Sequence, residues 1–339
     1  MQLTYIPYTL QLKNVFTLAG SSRTETPAVL TEIRYEDLVG YGEASLPPYL
    51  SENQKSVAKF LEQIDLTRFS NPSNIEEIMQ YVESIAPGNT AAKASVDMAL
   101  HDLFGKINNK PCYEIWNLNP EKAPGTSFTI GIDTPENVRK KAEETAERYP
   151  FLKIKLGRNT DKLMIESIRS VTDKPIYVDV NQGWTDKHFA LDMLHWCKDQ
   201  NVLFAEQPMP VHRKDDTAWL SAHSPIPIIA DESFQRLEDL DSVKNIFSGI
   251  NIKLMKCTGL NEARKIIEQA RKINLKIMLG CMTETSCAIS AAAQIASSAD
   301  FVDLDGNLLI SNDCFKGTEI ADGKVIPSRL PGIGVRKYR

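Results

Sequence analysis

Several features that would mark a secreted, membrane-bound or nucleic-acid-binding protein are missing from this chain. No apolar run approaches the roughly 20 residues of a membrane-spanning helix, and the opening residues, MQLTYIPYTLQLKN, lack the basic and then apolar pattern of a signal peptide. The formal net charge of −5 gives no basic footprint for nucleic acid. The six cysteines form no C-x-x-C pair, which favours reduced core thiols over a disulfide framework. These absences predict a cytoplasmic protein without nucleic-acid or membrane partners.

Two signatures of cofactor chemistry are also absent. The glycine-rich motif G-x-G-x-x-G does not occur, which argues against an open, doubly wound nucleotide-binding sheet. None of the five histidines stands at the end of a strand-like run. Because zinc sites usually include histidine or cysteine, a zinc enzyme is not expected.

The first third of the chain has a strand-then-helix pattern. Two strand-like runs, LTYIPYTLQL and PAVLTEIRYEDLVGYGEA, are joined by the polar stretch AGSSRTET, which we predict to be a loop. Helical periodicity follows around 52–62, 74–83 and 89–107. Strands followed by helices predict an α+β domain, which we place at residues 1–120.

From residue 127 onward, short strand-like runs alternate with helical segments. A parallel sheet follows from this alternation, and eight strands are the number that closes a TIM-type barrel. The predicted fold class is therefore α/β, with a TIM-type (modified β/α) barrel at residues 121–311 and an N-terminal α+β capping domain. The runs are SFTIGI, FLKIKLG, PIYVDVN, VLFAEQP, IPIIADES, GINIKL, LKIMLG and FVDLD.

Charged residues recur at the same position of these strands, on the face that should point into the barrel. Successive members lie 22 to 27 residues apart, or 50 where one unit is skipped, so each step corresponds to one or two βα units. At the carboxyl ends of barrel strands they should converge on one mouth. They are Lys155, Asp179, Glu206, Asp231, Lys253 and Asp303.

Three adjacent strands contribute the carboxylates Asp179, Glu206 and Asp231. Convergent carboxylates repel one another, and a divalent cation removes that repulsion. An all-oxygen set suits Mg²⁺, with Mn²⁺ as a second possibility. The alternative is a salt-bridge network with the neighbouring lysines and no metal.

Lysines flank this cluster on two strands that face each other across an eight-stranded barrel. Lys153 and Lys155 lie on the second strand, in FLKIKLG, and Lys253 lies on the sixth. Lysines beside a cation and another lysine should have lowered pKa values, so that a neutral amine can act as a general base. Opposed lysines could remove an α-proton from one face of a metal-bound carboxylate and return it on the other. The same groups also suit β-elimination and cycloisomerisation.

The motifs VDVNQGW, AEQP, ADES and NIKLMK, following a K-x-K strand, resemble the enolase superfamily and its muconate lactonizing enzyme subgroup. GYGEA and ASVDMALHDLFGK resemble that family's capping domain. The resemblance implies that the C-terminal tail, about 312–339, completes the cap over the barrel mouth. It also implies the following roles: Asp179, Glu206 and Asp231 as metal ligands, Lys155 and Lys253 as paired acid/base residues, and Lys153 as the lysine that neutralises the substrate carboxylate.

The substrate class is indicated by the stretch DLDGN on the eighth strand. Asp303 and Asp305 share the inward face, and two carboxylates suit an ammonium group. The pair resembles the D-x-D motif of dipeptide epimerases, which holds the free amino terminus of a dipeptide. Arg23 could pair with a glutamate side chain, as the resemblance to L-Ala-D/L-Glu epimerases of murein peptide recycling implies.

Three alternatives stay open from the sequence. An o-succinylbenzoate synthase or a cycloisomerase would use the same lysines but has no evident use for Asp303 and Asp305. A non-catalytic barrel protein is the third reading. We expect the stretch Cys281–Glu284 to line the pocket without a defined role, Lys256 to lie off the inward face, and the protein to form a homo-oligomer.

Overall fold

The secondary structure of the chain follows the two predicted patterns. The computed structural model describes residues 1–17, 20 and 22–338. The strands are β1 (Gln2–Thr17), β2 (Ser22–Tyr35), β3 (Leu38–Ser45), β4 (Ser127–Ile130), β5 (Phe151–Lys155), β6 (Ile176–Asp179), β7 (Val202–Glu206), β8 (Ile228–Ala230), β9 (Gly249–Ile252), β10 (Lys276–Gly280), β11 (Phe301–Asp303), β12 (Phe315–Lys316), β13 (Glu319–Ala321), β14 (Lys324–Ile326) and β15 (Arg336–Lys337). The helices are α1 (Gln54–Leu61), α2 (Ile75–Ile85), α3 (Thr90–Ile107), α4 (Cys112–Ile115), α5 (Pro135–Thr145), α6 (Asp161–Arg169), α7 (Lys187–Asp199), α8 (Lys214–His223), α9 (Leu240–Val243), α10 (Leu260–Lys272) and α11 (Ser286–Ala293).

A parallel barrel is formed by β4 to β11, which pair in chain order. A parallel bridge between Thr126 and Val302 joins the last strand to the first. Inward side chains fill the interior, where the rings of Tyr177 and Phe204 stack with centroids 4.5 Å apart. The opposite face of β5, with Leu152 and Ile154, belongs to the main core with the helices. The predicted fold class is confirmed.

The antiparallel sheet β1–β2–β3 corrects one prediction. The stretch AGSSRTET is not simply a loop, because β2 begins at Ser22 and Arg23 pairs with Phe16 of β1. The register shifts between Gln11 and Phe16, so the hairpin continues past an irregularity. The polar composition predicts a loop, but alternating threonines are also compatible with a strand. Residues 18, 19 and 21 lie outside the described residues.

The C-terminal residues contact the N-terminal sheet. The Lys337 ammonium lies 2.8 Å from a Glu32 carboxylate oxygen, and the rings of Phe315 and Tyr41 meet edge to face. The Asn312 amide oxygen accepts the Gln11 N–H. The exact boundaries of the cap, 1–120 plus about 312–339, and of the barrel, 121–311, stay predictions.

The cysteines and helices bear on the absences noted in the sequence. All six cysteines are free thiols, and four of them are buried. They pack as small apolar side chains, as the lack of a paired motif predicted. Within residues 1–17, 20 and 22–338, no helix has the length and apolarity needed to cross a membrane.

Two glycines of GYGEA allow the cap helix α3 to lie directly on β3. A Cβ at Gly42 would stand 1.8 Å from the Ser95 carbonyl oxygen, and one at Gly40 would stand 2.0 Å from that of Ala99. We expect Gly42→Ala to lower the free energy of unfolding by about 3 kcal/mol, because the helix backbone must move away. Denaturant unfolding measures this. Gly20→Ala is the control, since its Cβ would meet no atom of the described residues within 4 Å. Equal stability of the two variants would contradict the close approach.

Candidate active site

The barrel strands align their charged ends as the spacing predicted. Lys155 of β5 is the register partner of Asp179 of β6, which in turn pairs with Glu206 of β7. Asp231 follows β8 directly, and Lys253 follows β9 directly. Parallel strands in register therefore bring residues far apart in the chain to one end of the barrel.

Three of these residues form a carboxylate cluster that suits a divalent cation. Ligand oxygens of Asp179, Glu206 and Asp231 all lie within 4.8 Å of one another, and the three residues are buried. Among the described residues, Glu206 Oε2 accepts no well-aligned hydrogen bond, although the Lys153 ammonium lies 2.8 Å from it. Three buried carboxylates this close together fit a hard cation such as Mg²⁺.

The cluster is electrostatically uneven. Burial and the neighbouring Asp179 raise the pKa of Glu206 to about 7. Burial also raises the pKa of Asp231, but Lys253 and Lys256 lower it by more, so it lies well below its usual value. Burial raises the pKa of Asp179 too, but Lys155 and Lys153 lower it by more. Two carboxylates thus carry charge beside lysines, while Glu206 is difficult to ionise unless a cation is bound.

Ammonium groups contact the cluster from several sides. Lys155 Nζ lies 2.5 Å from Asp179 Oδ2, and Lys253 Nζ lies 2.6 Å from Asp231 Oδ2. Lys153 Nζ lies 2.8 Å from Glu206 Oε2 and 3.1 Å from Asp179 Oδ2. The lysines therefore lie directly against the predicted metal ligands.

The pKa values of Lys153 and Lys253 are governed by the carboxylates that surround the two ammonium groups. Burial lowers the pKa of Lys153, but Asp303 and the carboxylate cluster raise it by more. The same balance raises the pKa of Lys253, where Asp231 provides the largest opposing contribution. The predicted lowering of these pKa values depends on a divalent cation beside the lysines, so it stays a prediction for the metal-bound protein.

Two further residues support the cluster and were missed or misjudged from the sequence. Lys256 Nζ donates to Asp231 Oδ1 at 2.5 Å and to the Asp231 carbonyl at 2.7 Å. It was expected off the inward face; it does not line the cavity, yet it is buried in the site. Asn251 Nδ2 donates to Glu206 Oε1 at 2.6 Å. Its position two residues before Lys253, on the same strand face, was the signal for it.

At the eighth strand, Asp303 and Asp305 lie beside the lysines. Asp303 Oδ2 accepts from Lys153 Nζ at 2.8 Å, and its Oδ1 accepts from Ser127 Oγ at 2.7 Å. Asp305 Oδ2 accepts the Thr129 N–H at 2.7 Å. Burial and the neighbouring Asp303 raise the pKa of Asp305 to about 7. A cationic group in the cavity would favour its ionised form.

Arg23 reaches the same cavity from the cap. Its Nη2 donates to Thr283 Oγ1 and its Nε to Thr26 Oγ1, each at 3.2 Å, and its guanidinium lies 5.2 Å from the centroid of the Phe16 ring. Burial lowers the pKa of Arg23. The cap thus places a partly buried cation at the mouth of the barrel.

Seven of the nine predicted site residues line one cavity, and the other two, Asp179 and Glu206, lie buried against its Lys153. Cys281, Met282 and Thr283 also line it as expected, but Glu284 does not; the buried Glu284 carboxylate accepts the Met282 N–H. The seven lining residues are Arg23, Lys153, Lys155, Asp231, Lys253, Asp303 and Asp305.

Six more residues that line the cavity were not anticipated, and three of them, Tyr49, Asn181 and Glu232, carry polar groups into it beside the cluster. Tyr49, from the cap, donates its hydroxyl to Met282 Sδ at 2.6 Å. Asn181 and Glu232 follow β6 and β8, and Asn181 Nδ2 donates to Glu232 Oε1 at 3.4 Å. Burial and Asp231 raise the pKa of Glu232 to about 7. The motifs VDVN and ADES contain both residues, but strand periodicity does not extend beyond the strand ends.

A larger cavity, of about 880 Å³, lies elsewhere. Gly125, Pro150 and Lys174 line it, and they precede β4, β5 and β6 at the amino ends of the barrel strands. None of the nine predicted site residues belongs to it. Because barrel enzymes carry their chemistry at the carboxyl ends of the strands, we assign the active site to the smaller, charged cavity.

Comparison with known protein families decides the family. Residues 137–337 match the enolase C-terminal domain-like model, and residues 3–116 match the N-terminal domain of mandelate racemase / muconate lactonizing enzyme. The chain belongs to the enolase superfamily. Both halves of the molecule, the cap sheet and the barrel, are therefore those of this superfamily.

Relatives with assigned activities cover the enolase-superfamily chain almost completely. It is 57% identical to an L-Ala-D/L-Glu epimerase of Bacteroides thetaiotaomicron over 99% of this chain and 88% of the relative. Among solved structures, a substrate-liganded L-Ala-D/L-Glu epimerase of Bacillus subtilis matches with a TM-score of 0.93 and 26% identity, covering 100% of this chain and 99% of the other. A dipeptide epimerase of Enterococcus faecalis, complexed with Mg and L-Leu-L-Tyr, has a TM-score of 0.93 and 28% identity, with 98% of each chain covered.

Proposed function

We propose that this protein is a Mg²⁺-dependent dipeptide epimerase that inverts the α-carbon of the C-terminal residue of its substrate. The observation that carries the proposal is one cavity that is lined by lysines from opposite sides of the barrel, by the Asp303–Asp305 pair and by Asp231, with the other two carboxylates of the triad buried directly behind it. The names of the relatives and the Mg complex of the Enterococcus protein support it.

The two lysines approach the cavity from opposite strands. Lys155 ends β5, the second barrel strand, and Lys253 follows β9, the sixth. Each contacts a different carboxylate of the cluster, Asp179 for Lys155 and Asp231 for Lys253. A substrate α-carbon between them would lose its proton to one amine and receive a proton from the other. This arrangement predicts a two-base epimerisation.

The other groups bind and orient the substrate. Asp179, Glu206 and Asp231 would hold the cation, which would withdraw charge from the substrate carboxylate and stabilise the enediolate. Mn²⁺ is a possible substitute, since its oxygen-ligand preference is similar. Lys153 lies next to the cluster, where it would compensate the substrate carboxylate. Asp303 and Asp305 would accept the substrate ammonium.

The alternative enzyme activities do not account for the eighth strand. An o-succinylbenzoate synthase or cycloisomerase substrate has no ammonium group, so Asp303 and Asp305 would lie buried together without purpose. A non-catalytic barrel would likewise keep several buried carboxyl groups with raised pKa values at no gain. The cytoplasmic location, the homo-oligomer and a role in murein peptide recycling are further proposals; six free thiols are compatible with the location.

Isotope exchange tests the activity. The protein is incubated with Mg²⁺ and L-Ala-L-Glu in D₂O, and the products are analysed by mass spectrometry and chiral chromatography. We expect deuterium at the C-terminal α-carbon, both diastereomers, and loss of both signals with a chelator. Turnover of a succinylbenzoate precursor without dipeptide exchange would overturn the proposal in favour of the synthase. If no carboxylate substrate undergoes α-proton exchange, the non-catalytic barrel would be favoured.

We further propose that the substrate side chain is glutamate, bound by Arg23. Arg23→Met keeps an unbranched apolar stem beside Phe16 but removes the charge. We expect kcat/KM for L-Ala-L-Glu to fall about a hundredfold, because a desolvated charge pair is lost. The isosteric neutral substrate L-Ala-L-Gln is the control and should change by less than about threefold. An equal loss on both dipeptides would contradict a role for Arg23 in selecting glutamate.

A further inference from the structure

The guanidinium of Arg23 is held on three sides and lacks an anionic partner within the described chain. Thr26 and Thr283 accept from Nε and Nη2, and the Phe16 ring packs against the group. Nη1 is buried, and no residue among 1–17, 20 and 22–338 accepts a hydrogen bond from it. A buried donor without an acceptor is unfavourable, so an anionic ligand at Nη1 would stabilise this arrangement.

The acceptor Thr283 is itself fixed by the cap. Its side chain is almost fully buried, and its carbonyl oxygen accepts from Ser45 Oγ at 2.5 Å. Two residues later, the Thr285 N–H donates to the buried Glu43 carboxylate at 2.9 Å, and the Thr285 hydroxyl contacts the same group. The segment after β10 therefore cannot move independently of the cap strand β3. The Thr283 hydroxyl is a preset acceptor for the arginine.

We propose that Thr283 is a positioning residue that sets glutamate selectivity by orienting Arg23. Its hydroxyl accepts from Nη2, so Nη1 is the guanidinium nitrogen left without an acceptor among the described residues, and both residues line the cavity. Within residues 1–17, 20 and 22–338, Thr283 forms hydrogen bonds with Arg23 and Ser45 and with no catalytic lysine or carboxylate of the metal cluster. The inference rests on the proposed function, because it assumes that a dipeptide with an acidic side chain occupies the cavity.

Two substitutions of Thr283 distinguish the effect of its hydroxyl group from the effect of its side-chain volume. Thr283→Val keeps the shape but removes the acceptor, so that Nη2 also becomes unpaired. We expect Thr283→Val to lower kcat/KM for L-Ala-L-Glu about tenfold relative to L-Ala-L-Gln, mainly through a higher KM with little change in kcat. Thr283→Ser retains the hydroxyl and should restore the wild-type ratio. Thermal unfolding of both variants monitors folding.

Arg23→Met provides the reference that distinguishes the possible failures. If the inference holds, adding Thr283→Val to Arg23→Met should leave the ratio of the two dipeptides unchanged, because the oriented group is already gone. A Glu-to-Gln ratio that falls in Arg23→Met but not in Thr283→Val would overturn the inference and leave the proposed function intact. An equal loss on both dipeptides in Thr283→Val would also overturn it, since that indicates general loosening. Absence of turnover of either dipeptide by the unmodified protein would instead contradict the proposed function.

Discussion

Replacing Lys253 by methionine is expected to abolish epimerisation while leaving α-proton exchange intact for one substrate diastereomer. Methionine has similar length and no titratable amine, so one of the two proton-transfer groups is removed. Acid–base groups contribute about a hundredfold to ten-thousandfold, and we expect a loss of about a thousandfold in epimerisation. The remaining lysine can still remove and return a proton on its own face of the α-carbon.

Lys155→Met should give the complementary result. Lys155 and Lys253 reach the cavity from the second and sixth barrel strands, so each should serve the opposite face. In D₂O, one variant should exchange only the L,L-dipeptide and the other only its L,D-diastereomer, as followed by NMR of each purified diastereomer. Exchange of both diastereomers by a single variant would contradict the two-base arrangement.

Lys256→Met is the matched control for Lys253→Met. Both ammonium groups bind Asp231, Lys253 through Oδ2 and Lys256 through Oδ1, but only Lys253 lines the cavity. Loss of Lys256 should disturb the orientation of Asp231 and so weaken Mg²⁺ binding. Saturating Mg²⁺ should therefore restore exchange in Lys256→Met and not restore epimerisation in Lys253→Met. Rescue of both variants would place Lys253 in a supporting role only.

Strand periodicity predicts the positions of Lys155 and Lys253 but not the contact that Lys256 makes. Lys155 and Lys253 were located correctly because side chains alternate along a strand and parallel strands share one carboxyl end. Lys256 lies in the turn after β9, where side chains no longer alternate between two faces, so periodicity predicts only that it lies off the inward face. Its contact with Asp231 depends on the three-dimensional path of that turn.

Two other features, the backbone conformation at Arg23 and the pKa values of the lysines, could not be predicted from the sequence. Arg23 was assigned to a polar loop, because composition does not show that the β1–β2 hairpin resumes after a register shift. The predicted lowering of the lysine pKa values depends on a bound divalent cation, which residue spacing alone does not establish. In the structure, the sign is set by how closely carboxylates approach each ammonium group, and those distances are not encoded in residue spacing.

Glu206→Gln is expected to abolish activity and, in the metal-free protein, to raise stability above pH 7. Glu206 is fully buried, and its pKa of about 7 lies above the usual value of about 4.3. Below about pH 4.3 the carboxyl is protonated in both the folded and unfolded chains, so it has no effect on the pH dependence. As pH rises to 7, the unfolded chain ionises first and folded stability decreases.

Glutamine cannot ionise, so the variant escapes this loss. It keeps an amide oxygen for Asn251, and Lys153 keeps Asp179 and Asp303 as partners. In chelator at pH 8, we expect the free energy of unfolding of the variant to exceed that of the unmodified protein by about 3 kcal/mol, because the pKa of Glu206 differs between the folded and unfolded chains. At pH 4.5 the difference should almost vanish. Denaturant unfolding at the two pH values measures it, and a variant less stable than the unmodified protein at pH 8 would contradict the expectation.

Adding Mg²⁺ should reverse the order of stability. A ligand that binds only the folded state stabilises it in proportion to the logarithm of its concentration over Kd. The unmodified protein should gain this stabilisation at pH 8, whereas Glu206→Gln should gain little because one of three carboxylate ligands has become an uncharged amide. Its dipeptide exchange should fall by more than about a thousandfold.

Glu284→Gln separates the metal from the general effect of a buried carboxyl. Glu284 is also buried, and burial and Glu43 raise its pKa to about 8, but it is outside the carboxylate triad. Its variant should show a similar pH-dependent gain of stability and keep the full response to Mg²⁺. Loss of the Mg²⁺ response in both variants would place the cation elsewhere. Loss of the Mg²⁺ response in Glu206→Gln alone would place the cation at the carboxylate triad. The carboxylates that repel one another in the metal-free protein would then be the groups that bind the cation.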